Sequence, residues 1–155
     1  MGSYLNPGSK GFQERLNSEI YVDKTGLIEK TNAVLDTRQK FLCVSRPRRF
    51  GKSMAADMLA AYYERGEDAD LLFRSLKISK AESYRAHLNQ YDVIKVNIQE
   101  FLSMTGSMDE MLSMLKKYLV FDLMEHFDDV RFRDESNLIQ VMKDIYAKTK
   151  RAFVI

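Results

Sequence analysis

Apolar residues along this chain recur at two spacings, one helical and one extended, and the segments between them are rich in charge. From Lys52 onward Met54, Met58, Leu59 and Tyr62 fall three or four positions apart, and Ala55 and Ala56 are small enough for close packing on a sheet. That spacing predicts a helix stopped at Glu64-Arg65-Gly66, with Gly66 in the left-handed position past the last turn. A longer stripe of Met108, Met111, Leu112, Leu115, Leu119 and Leu123 follows Ser107 and Glu110, which are spaced as a capping box. A methionine-rich stripe at this spacing fits core packing better than a docking groove. A third helix, from about residue 135 to 148, turns Leu138, Val141, Met142 and Ile145 inward, and Lys148, Lys150 and Arg151 suit its negative C-terminal end. Shorter helical segments are predicted at 12–16, from about 25 to 35 behind a cap at Asp23 or Thr25, and from 80 to about 88 behind the capping box of Ser79 and Glu82.

Three runs read instead as strands. Phe41-Leu42-Cys43-Val44-Ser45 is short and apolar, residues 91–98 are dense in β-branched side chains, and Phe153-Val154-Ile155 closes the sequence. Asp92 and Lys95 point to an edge or sheet-end position for the second run. Long helical crossovers between the three imply an α/β fold, a parallel sheet with helices on both faces. Leu71, Leu72 and Phe73 form an apolar knot suited to the core, and residues 1–11, with Pro7, form an irregular lead-in. An apolar strand-forming run is an unusual place for a domain to stop, so the chain is expected to be a fragment of a longer protein, its sheet truncated after the third main strand.

Composition narrows the setting. At 155 residues the length suits about one domain. No stretch approaches the ~20 apolar residues of a membrane span, and no signal peptide opens the sequence, so a cytoplasmic location without membrane contact is expected. Cys43 is the single cysteine, which excludes an intrachain disulfide, and its apolar neighbours favour a small buried side chain. The net charge is +2, yet residues 1–53 hold ten Lys/Arg against five Asp/Glu. The excess gathers at Arg46, Arg48, Arg49 and Lys52, a local positive field that suits a polyphosphate better than a long duplex. Glu125-His126-Phe127-Asp128-Asp129 lacks a second ligand pair at metal-site spacing and reads as solvated surface, and His87 stands alone.

The basic cluster lies inside a motif. A phosphate loop of the Walker A type needs G-x-x-x-x-G-K-[ST], because backbone N–H groups curl round a phosphate while a lysine and a hydroxyl reach the outer phosphates and Mg²⁺. Gly51, Lys52 and Ser53 fit, and Arg46 occupies the first glycine position. A bare Gly-Lys-Ser is common by chance and would otherwise be a helix start with a basic face. The order strand, loop, helix supports phosphate binding, since a helix N-terminus also favours an anion.

Two blocks, Tyr21-Val22-Asp23-Lys24-Thr25 and Ser45-Arg46-Pro47-Arg48-Arg49-Phe50-Gly51-Lys52-Ser53, at this separation resemble the predicted AAA-like ATPase family of bacterial proteins. The resemblance runs on through Leu72-Phe73, Leu76-Lys77-Ile78, residues 91–98 and Phe153-Val154-Ile155. It implies a P-loop NTPase-like sheet, with the whole chain as the N-terminal part of an ATPase domain. Members of the family commonly carry a PD-(D/E)XK nuclease-like domain further along, and they regularly have arginine where Arg46 stands. The implied ligands are ATP and Mg²⁺: Lys52 on the outer phosphates, Ser53 on the metal, and Gly51, Phe50, Arg49 and Arg48 completing the phosphate loop. Tyr21, Val22 and Asp23 would border the base, although packing and capping explain Tyr21 and Asp23 without a ligand. In such ATPases the strand matching Phe153-Val154-Ile155 ends in acids that hold Mg²⁺ and polarise water. With none of these in the sequence, weak binding and little hydrolysis are expected, with hydrolysis left to the full-length protein. A bare sheet edge beside the phosphate-loop strand would favour self-association. The rival reading is a nucleic-acid interaction module in which Arg46, Arg48, Arg49 and Lys52 contact backbone phosphates without nucleotide. A small-molecule kinase is a third, with no acceptor pocket evident.

Overall fold

Two adjacent tyrosines at the end of one helix organise the first of two separate cores. The computed structural model describes residues 3–45, 47, 49, 51–66 and 68–155. The chain divides into two units, Gly8–Tyr91 and a second made of the N-terminal segment through Pro7 with Asp92–Ile155. The first unit contains α1 (Lys10–Leu16), α2 (Gly26–Asn32), α3 (Lys52–Tyr63), α4 (Asp70–Phe73), a 3-10 turn over Lys77–Lys80, and α5 (Tyr84–His87).

In α3 Met58 is buried, and so are the four consecutive residues Ala60, Ala61, Tyr62 and Tyr63, so the end of the helix is enclosed all round, whereas Met54 and Leu59 of the expected stripe are half-buried and Ala56 is exposed. Tyr62 meets Phe73 edge to face at 5.5 Å, and Phe73 stacks on Phe12 of α1 at 4.9 Å, so three helices share one aromatic cluster. Such pairs add about 0.5–1.5 kcal/mol each beyond the area they bury. The buried hydroxyls are satisfied as well. The Asn32 amide donates to Tyr62 Oη at 3.1 Å, Tyr63 Oη donates to Asn32 Oδ1 at 2.7 Å, and Tyr62 Oη donates to the Tyr84 carbonyl at 2.7 Å. Asn32, the last residue of α2, is thereby clamped to the last turn of α3. At Gly11 of α1 a Cβ would lie 3.3 Å from Asp57 Cγ, and Arg15 pairs with that carboxylate at 3.2 Å.

In the second unit are β1 (Asp92–Val93), α6 (Ile98–Met104), α7 (Met108–His126), α8 (Leu138–Thr149) and β2 (Phe153–Val154). The strands are parallel, with Asp92 opposite Phe153 and Val93 opposite Val154. β1 is flanked on its other side by the N-terminal segment: Asn6 donates its N–H to the Val93 carbonyl at 2.8 Å, and Leu5 forms an antiparallel bridge with Ile94. The core joins Leu5, Ile94, Leu119, Leu123, Val141 and Ile145, with Leu138, Met142 and Phe153 packed against it. Ser107 Oγ accepts from the Glu110 N–H at 3.2 Å, so Ser107 caps α7 as expected, while the Glu110 carboxylate accepts at 2.9 Å from the N–H of Gly106, one residue before the partner a capping box would give it. Asn137 caps α8 by accepting from the N–H groups of Ile139 and Gln140.

Several expectations are corrected. The parallel pairing of the runs near 92 and 153 is present, but Phe41–Ser45 is not a strand: it is irregular, and Phe41, Leu42 and Val44 are exposed. Strand propensity alone does not hold an extended segment, which needs a paired neighbour for its N–H and C=O groups. Among the described residues none pairs with this run. Cys43 is consequently exposed, not buried. The run at 91–98 forms only two residues of ladder, because Asn97 caps α6 and Ile98 enters it. Asp92 does not mark an edge, since it is fully buried and accepts from Asn6 Nδ2 at 3.0 Å and from the Arg151 guanidinium. Arg151 also lies over the Phe127 ring, 4.9 Å from its centroid, and so serves a buried partner in addition to the end of α8. Ser79 makes no capping box: its hydroxyl donates to the Leu76 carbonyl, and the segment forms the 3-10 turn and the four-residue α5. On α7, Met108 and Leu112 face solvent, and α3 ends at Tyr63, with Gly66 at φ 123° two residues past its cap.

Arg151→Met is expected to cost the second unit about 3–5 kcal/mol, the typical loss when one partner of a buried ion pair is removed. The double change Asp92→Leu with Arg151→Met should recover most of it in denaturant titration. A second expectation concerns acid. Asp144 accepts from the Arg133 N–H at 2.9 Å and from Gln140 Nε2 at 2.8 Å. The Arg133 hydrogen bond holds its carboxyl below the ordinary value; burial opposes this, and Gln140 and the Arg133 charge add to the lowering. Its stabilising contribution is therefore present above about pH 4 and lost as pH falls through the lower, folded value. Asp144→Asn should flatten the acid limb of urea midpoints measured between about pH 5 and 2.

Candidate functional site

The entrance to α3 requires a glycine. Gly51 is the residue before Lys52 and has φ 81° and ψ 25°, a left-handed conformation that an L side chain occupies at a cost of roughly 1–2 kcal/mol. Its carbonyl accepts the first helical N–H, from Ala55, at 2.9 Å. Arg49, two residues earlier, also has a positive φ, 67°. Lys52 Nζ donates to the Pro47 carbonyl at 3.2 Å. Both Lys52 and Ser53 are exposed. Arg46, Arg48 and Phe50 lie outside the described residues.

The block at 21–25 reaches the same place from another direction. Asp23 Oδ1 accepts from the N–H and hydroxyl of Thr25, at 2.8 and 2.6 Å, while Oδ2 accepts from the Lys77 N–H at 2.8 Å. Partial burial pushes the Asp23 carboxyl up, but the hydrogen bonds from Thr25 and Lys77 outweigh it and hold it below its ordinary value. Thr25 is fully buried and its Oγ accepts from the Ile78 N–H at 3.1 Å. The block is thus fastened to the 3-10 turn at two points, and Lys24 stands between them. Tyr21 packs edge to face on Phe12 at 6.2 Å, and its hydroxyl is pushed up to about 12 by burial and then by Asp23. Val22 is exposed.

Lys24 Nζ leans over Gly51, where an added Cβ would meet it at 3.2 Å. Lys24, Lys30, Lys52 and Gly51 line one cleft of about 560 Å³, with Leu27 and Val44 among its apolar walls. No carboxylate lines it among the described residues. Three ammonium groups, a left-handed glycine and a helix start around one concavity can hold a compact polyanion. Gly51 and Lys52 of the motif both line this cleft. Lys24 and Lys30 were not legible as site residues. Lys24 sits in a block that capping already explained, and Lys30 lies on a charged helix face without a motif. Elsewhere, no group of three potential metal-ligating side chains occurs among the described residues. Within the same limits, no helix is long and apolar enough to cross a membrane.

These features define an α/β protein with a small parallel sheet and a basic loop-to-helix cleft. Residues 8–155 match the family described as Predicted AAA-ATPase, and the chain belongs to that family. No curated protein and no solved structure matches it.

Asp23→Ala is expected to lower stability by about 1–3 kcal/mol, since it leaves the hydroxyl of fully buried Thr25 without its acceptor. The measurement is the urea midpoint of the first unit, followed by tyrosine fluorescence.

Proposed function

We propose that the chain binds ATP with Mg²⁺ through the polyphosphate, in the cleft at the start of α3. The observation that carries this reading is the left-handed Gly51 opening α3 beside Lys24, Lys30 and Lys52. In this reading Lys52 turns from the Pro47 carbonyl to the outer phosphates, and the Gly51–Ser53 backbone faces the phosphate chain. The residues suit a metal that arrives with the nucleotide: the lining offers cations for the phosphates, and the Ser53 hydroxyl supplies the chain's ligand to Mg²⁺. Arg48, Arg49 and Phe50 complete the loop. Two positive-φ residues in so short a loop, one of them an arginine, are the kind of strain that functional loops retain. Membership of the Predicted AAA-ATPase family supports the same class of ligand. The proposal is for binding, because hydrolysis needs several parts acting together.

The second reading, a nucleic-acid contact, draws on exposed Arg49 and Lys52 and on Pro47, which has no N–H to donate to a phosphate. Calorimetry separates the two. Saturable Mg-ATP binding that weakens roughly 10- to 100-fold in Lys52→Ala is the expected result, the usual consequence of losing a charge-assisted contact. Binding to single-stranded DNA with a steep salt slope, unaffected by ATP, would favour the rival.

A further inference from the structure

We infer that Lys24 is a second phosphate-contacting cation of the cleft, so that the block at 21–25 serves the polyphosphate end of a nucleoside triphosphate. The inference rests on the nucleotide reading above and adds a residue to it.

Three observations support it. The first is proximity: Lys24 Nζ lies over the Gly51 backbone, 3.2 Å from where a Cβ would stand, so a side chain at 51 would crowd it. A glycine there answers two demands at once, the left-handed backbone and the approach of this ammonium. The second is anchorage. Asp23 and Thr25, on either side, are each hydrogen-bonded to the 3-10 turn at Lys77 and Ile78, which fixes the backbone from which Lys24 projects. An ammonium on a fixed stem loses less freedom on binding an anion than one on a free loop. The third is charge: Lys24 shares its cleft with Lys30 and Lys52, a local concentration of positive charge that attracts a polyanion.

The neighbouring side chains fit this division of labour. The Asp23 carboxylate is turned to Thr25 and Lys77, and the Tyr21 ring packs on Phe12. Of the block, Lys24 is the residue that reaches the cleft.

The experiment is calorimetric titration of the whole chain and its Lys24→Ala and Lys24→Arg variants with Mg-ATP, AMP and inorganic tripolyphosphate. Lys24 is exposed, so both variants should fold, with thermal melting without ligand as the check. Lys24→Ala is expected to weaken Mg-ATP and tripolyphosphate binding roughly 10- to 100-fold, leave AMP binding unchanged, and recover in part in Lys24→Arg. Wild-type binding of Mg-ATP that is equal in Lys24→Ala overturns the role of Lys24 and leaves the nucleotide reading standing. An equal loss for AMP and ATP also overturns it, because the contact would not be to the outer phosphates. A wild-type chain that binds none of the three removes the nucleotide reading, and this inference with it.

Discussion

The hydrogen bonds of Tyr62 and Tyr63 with Asn32 are the constraint on which the candidate site depends. Two helices supply much of the cleft wall: α2 gives Gly26, Leu27 and Lys30, and the first turn of α3 gives Lys52 and Ala55. Two helices hold a fixed separation only if something ties them together. Asn32 closes α2 two residues beyond Lys30, and the two tyrosines close α3, so the polar clamp ties the Lys30 end of α2 to the end of α3 away from Lys52. Burial pushes both tyrosine hydroxyls up, keeping them neutral and able to donate. A buried polar network of this kind fixes one arrangement where apolar contacts alone would accept several.

The second unit uses a different device for a similar end. β1 is only two residues long, yet it is bordered by β2 on one side and by the N-terminal segment on the other. Asn6 makes this possible. It adopts φ 49°, so its side-chain carbonyl accepts the Val93 N–H at 2.8 Å while its amide donates to Asp92. One side chain thus stands in for a stretch of strand backbone. Asp122 adds a further tie by accepting from the N–H groups of Tyr4 and Leu5.

The elements that were legible in the sequence were those whose signals are local. The spacing of Val141 and Ile145 gave α8 its inward face, and Ser107 with Glu110 gave α7 its start. The parallel partnership of the runs near 92 and 153 followed from the helical crossover between them. What failed depended on distant partners. Phe41–Ser45 has the composition of a strand, but composition cannot supply the neighbour that a strand must pair with. Asp92 looked like an edge residue because its partner, Arg151, lies 59 positions away. At the candidate site Gly51, Lys52 and Ser53 were readable, as three adjacent residues. The arrival of Lys24 and Lys30 was not, because it depends on how α2 is carried against α3.

The exposure of Cys43 has a practical side. It is the sole thiol of the chain, it faces solvent, and its neighbour Val44 forms part of the cleft wall. A maleimide dye would therefore attach at one known point, next to the lysines, without any engineered residue. The natural sequence comes supplied with its own attachment site for an optical sensor.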